Sequence, residues 1–342
     1  MAKTCTICVM SEISDPEIVF DAKEICNHCY AAQKAQNQHR VDQQNLPWII
    51  DGIKKRGRCL IGLSGGVDSS WALYQLKQQG VDVVAYHFNN GYNTQKADEN
   101  VMKLVEGMKV PLFRYVVDKE KFDDLYQAFI KAGIKNLEAV TDHLLFAIAY
   151  EMANNEGVKT IISGGNWQTE SIMPKHFGED PRDLYWIKSV YKQMTGKRLK
   201  GLPVIPLWKE QYYRLIKGIK FVPILDYVEY NREKAIDKLR QLYGYEHPGG
   251  KHEESILTKW FQNIYLPRRY GLDKRIPHFS SMIHSGQITR QQAMEQLKHP
   301  PEEVEPPLGG GWGLADKKEY DDYPNSKWIR QQVIKLYALR RA

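Results

Sequence analysis

Apolar and polar positions fall into short blocks whose period switches between strand and helix. Arg58-Cys59-Leu60-Ile61-Gly62-Leu63 is a brief apolar run and predicts a buried strand. Residues 68–79 place Trp71, Leu73 and Leu76 at helical spacing and stop at Gly80, a residue suited to a helix C-terminal cap. Val81 to Phe88 predicts a second strand, 94–108 a polar helix, and Leu112 to Val117 a third strand. Helices are predicted over 121–132 and 141–156, the latter ended by Gly157, and a strand over Val158 to Ile162. Strands alternating with helices of this length imply parallel βαβ units with right-handed crossovers.

The ends of the chain read differently. Residues 30–45 are polar and Gln-rich, a solvated helix or a linker. Beyond residue 226 the strand signals fade, and 231–243, 254–265, 289–298 and 326–341 read as helices. Residues 300–313 form a loop rich in Pro, Glu and Gly. The expected organisation is an α/β core over 46–225, preceded by a small module and linker over 1–45 and followed by a helical region over 226–342.

Composition narrows the class. With 42% hydrophobic and 26% charged residues in 342, the chain is neither collagen-like nor disordered. No run approaches the roughly 20 apolar residues of a membrane span. The start, Met1-Ala2-Lys3-Thr4-Cys5, lacks the apolar core of a secretory signal, so a cytoplasmic protein is expected. The net charge of +7 is spread along the chain, with no cluster denser than Arg268-Arg269 or Lys274-Arg275. That spread argues against a nucleic-acid partner and fits a mildly basic enzyme.

Four of the five cysteines lie within the first 29 residues, as Cys5-x2-Cys8 and, after seventeen residues, Cys26-x2-Cys29. Two such pairs predict a four-thiolate Zn²⁺ site, closed and therefore structural. His28 lies between two ligands and is not needed.

The segment Ser64-Gly65-Gly66-Val67-Asp68-Ser69-Ser70 falls between the first strand and its helix. Unpaired N–H groups and the helix dipole favour an anion there. Gly65 and Gly66 let the backbone come close to a phosphate, Ser64 and Ser69 offer hydroxyls, and Asp68 can hold Mg²⁺ against the bound oxygens. The Gly-x4-Gly-Lys-Ser/Thr phosphate loop is absent, as is the Gly-x-Gly-x-x-Gly dinucleotide loop.

Ser64-Gly65-Gly66-Val67-Asp68-Ser69 resembles the PP-loop of ATP pyrophosphatases. That resemblance covers about 55–225 and implies a Rossmann-like, adenine nucleotide α-hydrolase parallel sheet that holds the β,γ-pyrophosphate of ATP. Members transfer AMP to a carbonyl oxygen and let a nitrogen or sulfur nucleophile displace it. Thiolation enzymes of this class need core cysteines. Here only Cys59, in a predicted buried strand, lies outside the N-terminal module.

A closer resemblance runs nearly end to end, to N-acetyl sugar amidotransferases of bacterial surface-polysaccharide (lipopolysaccharide O-antigen) biosynthesis. It rests on Cys5-Thr6-Ile7-Cys8, Cys26-Asn27-His28-Cys29, Ser163-Gly164-Gly165-Asn166 with Thr169-Glu170, and Gly249-Gly250-Lys251-His252-Glu253-Glu254-Ser255. Leu266-Pro267-Arg268-Arg269-Tyr270-Gly271-Leu272-Asp273-Lys274-Arg275 and Ser280-Ser281-Met282-Ile283-His284-Ser285-Gly286-Gln287 complete it. The chain departs from the pattern at Asn89-Asn90-Gly91-Tyr92, where Asp-Asn-Gly-Trp is usual, and at Ile276-Pro277-His278, where a more basic run is usual.

The resemblance implies that an acetamido group of a nucleotide-linked sugar is adenylated by ATP and converted to an acetamidino group. The ammonia would come from a separate glutaminase–synthase pair like that of histidine biosynthesis. It implies catalytic roles for Asp68, Lys251, His252 and Glu253. Asn90, Gly91, Gly164 and Gly165 follow strand ends, where such sheets bind ligands, although Asn90-Gly91 also reads as a simple turn. Asn166, Glu170, Arg268, Lys274 and Arg275 are candidates for the sugar nucleotide. Glu170 reads equally as a metal carboxylate or an N-terminal helix charge, and the three basic residues equally as surface charge.

Overall fold

The computed structural model describes residues 2–177, 181–309 and 316–339. The Gln-rich stretch is helical. It forms α1 (Asn27–Gln44), which buries Cys29, Ala32 and His39 and leaves most of its polar side chains in solvent. Helix α2 (Leu46–Lys55) carries proline in its first turn and buries Ile50 and Ile53.

The core then follows the sequence pattern closely. Strand β1 (Cys59–Gly62) leads into α3 (Val67–Gln78), β2 (Val83–Asn89) into α4 (Gln95–Gly107), and β3 (Leu112–Val116) into α5 (Lys119–Lys131) and α6 (Glu138–Asn155). Side-chain caps start two of these helices, Thr94 accepting from Ala97 N at 3.2 Å and Asp118 from Lys121 N at 3.2 Å. Strand β4 (Thr160–Ser163) ends at the short helix α7 (Trp167–Glu170).

Between β4 and residue 226 the structure holds elements that the apolar pattern does not announce. Helix α8 (Leu184–Thr195) starts at the Asp183 cap and stops at Gly196, whose φ is 71°. Helix α9 (Leu207–Leu215) precedes β5 (Lys220–Pro223), a strand only four residues long that ends in proline. Proline cannot donate to a ladder, and β5 sits at a sheet edge, where that is tolerated.

The later helices are α10 (Arg232–Tyr243), α11 (Ile256–Trp260), α12 (Leu266–Tyr270), α13 (Arg275–His284), α14 (Arg290–Leu297) and α15 (Lys327–Leu339). The helix expected over 254–265 instead passes through a π-turn at Phe261–Tyr265 and runs on past Pro267. A wide turn relieves the clash that a proline ring makes with the carbonyl four residues back. Helix α13 was not foreseen. Residues 310–313 of the expected loop and 340–341 of the expected last helix lie outside the described residues.

All five strands are parallel in the order β3-β2-β1-β4-β5. Leu60 faces Val84 on one side and Ile161 on the other. The order reverses between β1 and β4, and the crevice beyond the carboxyl ends of those strands is where open α/β sheets bind ligands. One apolar core joins β1 and β2 to α2, α3, α4 and α10 through Ile61, Leu73, Leu76, Leu104, Ile236 and Leu239. Each such buried side chain contributes about 1.5–3 kcal/mol.

Two compact units emerge from the contacts. The first comprises 1–116, 158–177 and 220–307, and holds the sheet, the four cysteines and helices α10 to α14. The second comprises 117–157, 178–219 and 308–342. The segments 46–225 and 226–342 thus contribute to both. Among the described residues no helix is long and apolar enough to cross a membrane.

Candidate active site

The loop between β1 and α3 is built for close approach. Gly65 has φ +84°, and a Cβ there would lie 2.3 Å from the carbonyl oxygen of Ala97, so glycine is required twice over. Gly66 caps α3 without a side-chain bond, which leaves the first-turn N–H groups open to an anion. The Ser64 and Ser69 hydroxyls are 3.3 Å apart, and Ser64 N donates to Ser69 Oγ. Beneath the loop, buried His87 donates from Nδ1 to the Leu63 carbonyl at 2.7 Å, while its Nε2 faces Asp98 at 2.9 Å.

A second glycine loop, following β4, closes on the first. A Cβ at Gly164 would meet the backbone nitrogen of Ser69 at 3.3 Å. Asn166 caps α7 by accepting from Thr169 N at 2.9 Å, and its amide donates to Asp68 at 3.3 Å. This places α7, with Thr169 and Glu170, beside the start of α3.

The chemistry gathers on Asp68. Its Oδ1 accepts from the Tyr230 hydroxyl and its Oδ2 from Lys251 Nζ at 2.9 Å. Lys251 also pairs with Glu170 at 2.9 Å, and Glu170 lies 3.4 Å from His252 Nε2. The result is a continuous line, Tyr230–Asp68–Lys251–Glu170–His252. His278 on α13 donates from Nδ1 to the Thr169 carbonyl at 3.0 Å, and its ring lies 5.9 Å from that of His252. His252 has φ +63°, a strained backbone for a residue with a side chain, and such strain concentrates at functional sites.

The line polarises its members. Burial alone would raise Glu170, but the Lys251 ammonium and His252 outweigh it and hold the carboxyl well below its usual range. Burial would lower Lys251, yet Asp68 and Glu170 raise it. His252 is likewise lowered by burial and raised overall by its bond to Glu170. Burial, Lys251 and His252 together push His278 well down, so its imidazole is neutral. Burial and Asp68 hold the Tyr230 phenol protonated.

These groups surround a cavity of about 140 Å³. Ser64, Gly66, Asp68, Ser69, Gly164 and Gly165 line one side, and Glu170, Lys251, His252 and Glu254 the other. Arg232 and His247 complete it, with the Arg232 guanidinium 2.8 Å from His247 Nε2. Burial, Arg232 and Arg240 push His247 down to about 4, so it accepts that hydrogen bond.

Most of the residues singled out from the sequence meet here, but not all. Asn90 is buried and accepts from Tyr92 N at 3.1 Å, and Gly91 has φ +83°. They form a turn after β2 and are absent from the cavity lining. Glu253 packs on Gly249 and Gly250 and faces Lys259 at 3.4 Å. Arg268 pairs with Glu303 at 2.6 Å in solvent, Arg275 with Asp273 at 2.7 Å, and Lys274 lies over the Phe261 ring at 5.3 Å. These four, expected at the catalytic centre or the substrate, do not line the cavity. Tyr230, Arg232, His247, Glu254 and His278 belong to the site and were not singled out. Glu254 lies in the run Gly249–Ser255 and His278 in Ile276-Pro277-His278, both quoted above without a role, and His247 just precedes the first of these; Tyr230 and Arg232 carry no such signal.

Elsewhere in the same unit the four N-terminal cysteines converge. All are buried, and their sulfurs lie within 4.8 Å of one another. Three Sγ–Sγ distances are 3.5, 3.7 and 3.6 Å. A tetrahedron with metal–sulfur bonds of about 2.3 Å has edges of about 3.8 Å, so the donor set fits Zn²⁺. Arg290 donates to the carbonyls of Cys5 and Cys8 at 3.0 Å each, and Val9 N donates to Ser280 Oγ at 3.3 Å. The module is thereby fastened to α13 and α14.

Two family matches bear on this arrangement. Residues 57–109 match the family described as tRNA methyl transferase HUP domain. This core is a PP-loop domain. Residues 254–307 match a second family, LPS biosynthesis protein WbpG-like, C-terminal domain. Curated relatives of the PP-loop core include the tRNA-specific 2-thiouridylase MnmA of Bacillus subtilis, 33% identical over 182 residues, which are 47% of each chain. The enzyme of the same name from Alkaliphilus oremlandii is 38% identical over 90 residues, 23% of this chain and 25% of its own. The chain thus spans between a quarter and a half of the length of these two relatives. A solved structure described as a predicted subunit of tRNA methyltransferase from Methanocaldococcus jannaschii superposes with a TM-score of 0.31 at 13% identity. It covers 55% of this chain and 75% of its own, a likeness too loose to carry weight.

Proposed function

We propose that the protein is an ATP-dependent amidotransferase that converts the acetamido group of a nucleotide-linked sugar to an acetamidino group in lipopolysaccharide biosynthesis. The observation that carries this reading is the match of residues 254–307 to the WbpG-like family, whose first residue, Glu254, bonds Ser64 of the PP-loop at 2.9 Å. The glycine loop after β1 and the first residue of the WbpG-like segment line one cavity, which supports the reading.

The acetamido oxygen attacks the α-phosphorus of ATP and pyrophosphate leaves. Ammonia adds to the resulting O-adenylated imidate carbon, AMP departs with the former amide oxygen, and the lost protons pass to bases of the site or to water. Activation is needed because an amide oxygen is a poor leaving group. Ser64, Ser69 and the first turn of α3 receive the pyrophosphate, and Arg232 and Lys251 face the charge that develops at the α-phosphate. Neutral His278 is the group able to take a proton from the incoming ammonia, while the His252–Glu170 pair holds charge beside it. Asp68 would offer hard carboxylate oxygens to Mg²⁺, which would supply charge neutralisation on the phosphates. The four cysteines would hold Zn²⁺ in a structural role. The ammonia comes from a separate glutaminase–synthase partner, and the setting is the cytoplasm.

The test follows AMP, pyrophosphate and sugar mass together, with ATP, Mg²⁺, ammonium and a panel of acetamido nucleotide sugars. Sugar-dependent AMP with a mass loss of ~1 Da, the exchange of O for NH through an activated intermediate, is the expected result. Absence of both with every sugar would reject the reading.

A tRNA-thiolating enzyme is the second reading, and the thiouridylase relatives favour it. Cys59 weighs against it. It is fully buried in β1, and burial pushes its thiol up to about 12, so no reactive thiolate is at hand outside the four-cysteine cluster. Loss of activity in Cys59→Ala, with tRNA as the acceptor, would favour thiolation.

A further inference from the structure

One carboxylate in the cavity has no part in the chemistry above. Glu254 Oε1 accepts from the Ser64 hydroxyl at 2.9 Å. A Cβ at Gly66 would meet its Oε1, Cδ and Oε2 at 2.8, 2.9 and 3.0 Å. The space that the missing side chain leaves for a phosphate is therefore already taken by an anion. The Ser64 hydroxyl, which accepts from Gly66 N at 3.2 Å, is turned toward this carboxylate.

The placement is anchored. Thr94 N donates to the Glu254 carbonyl at 2.9 Å, Ile256 N to the Tyr92 carbonyl at 2.8 Å, and Ser255 caps α11. With the backbone held on both sides, only the side chain is left to yield. The charges of the cavity sharpen the point. Its lining carries Asp68, Glu170 and Glu254 against Arg232, Lys251 and His252; Lys251 is already paired with both Asp68 and Glu170, and His252 faces Glu170 and feels the Glu254 charge. A bare pyrophosphate group entering this cradle meets the Glu254 carboxylate, with which no Lys or Arg among the described residues forms an ion pair.

We propose that Glu254 is an internal competitor for the pyrophosphate seat, and that it makes occupancy of the PP-loop conditional on a divalent cation shared between its carboxylate and the phosphate oxygens. Carboxylate and phosphate oxygens together are the hard donor set that Mg²⁺ takes, with water filling the rest of its shell. Without the cation, like charges face each other in a partly buried site. The inference rests on the nucleotide-binding reading of the loop. It concerns which form of the ligand is admitted and not which sugar is modified.

Calorimetric titration of the full chain with inorganic pyrophosphate, in Mg²⁺ and in EDTA, tests it. Wild type is compared with Glu254→Gln, which keeps an acceptor for Ser64 and nearly the same volume, and with Glu254→Ala. Wild type is expected to bind the Mg²⁺ form at least about tenfold more tightly than the free form, and both variants to bind free pyrophosphate at least about tenfold more tightly than wild type does. If wild type binds and both variants bind free pyrophosphate within twofold of it, the role of Glu254 is refuted while the PP-loop reading stands. If wild type binds neither form, the nucleotide reading itself fails and takes this inference with it.

Discussion

Two sets of carboxylates in this protein, one half-buried and one buried, look alike on paper and differ in their surroundings. In the first unit, Asp68 and Glu170 share Lys251, and around them lie glycine loops, a strained His252 and a cavity of about 140 Å³. In the second unit, Asp183 is fully buried and accepts from Trp186 N at 3.1 Å, Ser326 N at 2.7 Å, Ser326 Oγ at 2.8 Å and the Tyr320 hydroxyl. Nearby Glu210, 2% exposed, faces Arg182, Arg214 and Arg330 at 3.5–3.7 Å. Charge withdrawn from solvent, in part in the first set and fully in the second, is common to both. The second set fastens α8, α9 and α15 by giving each carboxylate several donors from different segments. The first set instead strings alternating charges along the wall of a void, where a ligand can exchange partners with them. A cavity and backbone strain, more than buried charge, set the candidate site apart from the structural cluster.

The largest expected effect comes from breaking the first set at its centre. Asp68→Ala is expected to lower AMP formation by about 10³-fold, the scale of losing one preorganised charge at a transition state. Tyr230, Lys251 and Asn166 each lose an acceptor, but Lys251 keeps Glu170 and the site borders a cavity, so a stability loss of about 1 kcal/mol is expected, smaller than that for Asp183→Ala below. Full activity in this variant would remove Asp68 from the chemistry and dissolve the contrast between the two clusters.

Breaking the second set should do the reverse. Asp183→Ala leaves four donors without their acceptor and removes the cap of α8. A loss of about 3 kcal/mol in denaturant unfolding is expected, combining unsatisfied donors with a lost cap. The turnover of the folded fraction should stay within twofold of wild type. A turnover loss comparable to that of Asp68→Ala, without the stability loss, would mean that the second cluster is also functional.

The sequence carried the first cluster only in part, and the reason is distance along the chain. The strand–loop–helix from Cys59 to Gln78 is local, so an apolar run followed by Ser64-Gly65-Gly66 was enough to find it. The loop after β4 was found in the same way, and the cysteine pairs by spacing alone. Ser64 and Glu254, however, are 190 residues apart and Asp68 and Tyr230 162 apart. No periodicity reports such meetings, and only the resemblance over Gly249–Ser255 brought Lys251 and His252 into view. Arg268, Lys274 and Arg275, read from the sequence either as sugar-nucleotide contacts or as surface charge, lie away from the cavity lining. Basic residues in a promising segment found local acidic or aromatic neighbours. Strand β5 was missed because four residues ending in proline give no alternation to read. Helix α8 carried its Asp183 cap and Gly196 stop in plain view, and attention to caps alone would have found it.

The smallest expected effect distinguishes the clusters by pH. His247 belongs to the cavity, and burial with Arg232 and Arg240 pushes its pKa down to about 4, against about 6.5 in an unfolded chain. Between those values the unfolded state binds more protons than the folded one. The stabilisation from neutral His247 is therefore complete above about pH 6.5 and is lost as the pH falls toward 4. The ring is partly exposed, so solvent screening trims the effect to the order of 1 kcal/mol. Asp226, raised by burial to about 6, titrates in the same window with the opposite sign, because its protonated form is favoured in the folded state. The readout is accordingly a difference. Melting curves of wild type and His247→Gln between pH 7 and pH 4.5 should diverge, wild type losing more on acidification. Parallel slopes for wild type and His247→Gln would show that Arg232 does not depend on a neutral His247, and that this ring sets no part of the cavity's response to acid.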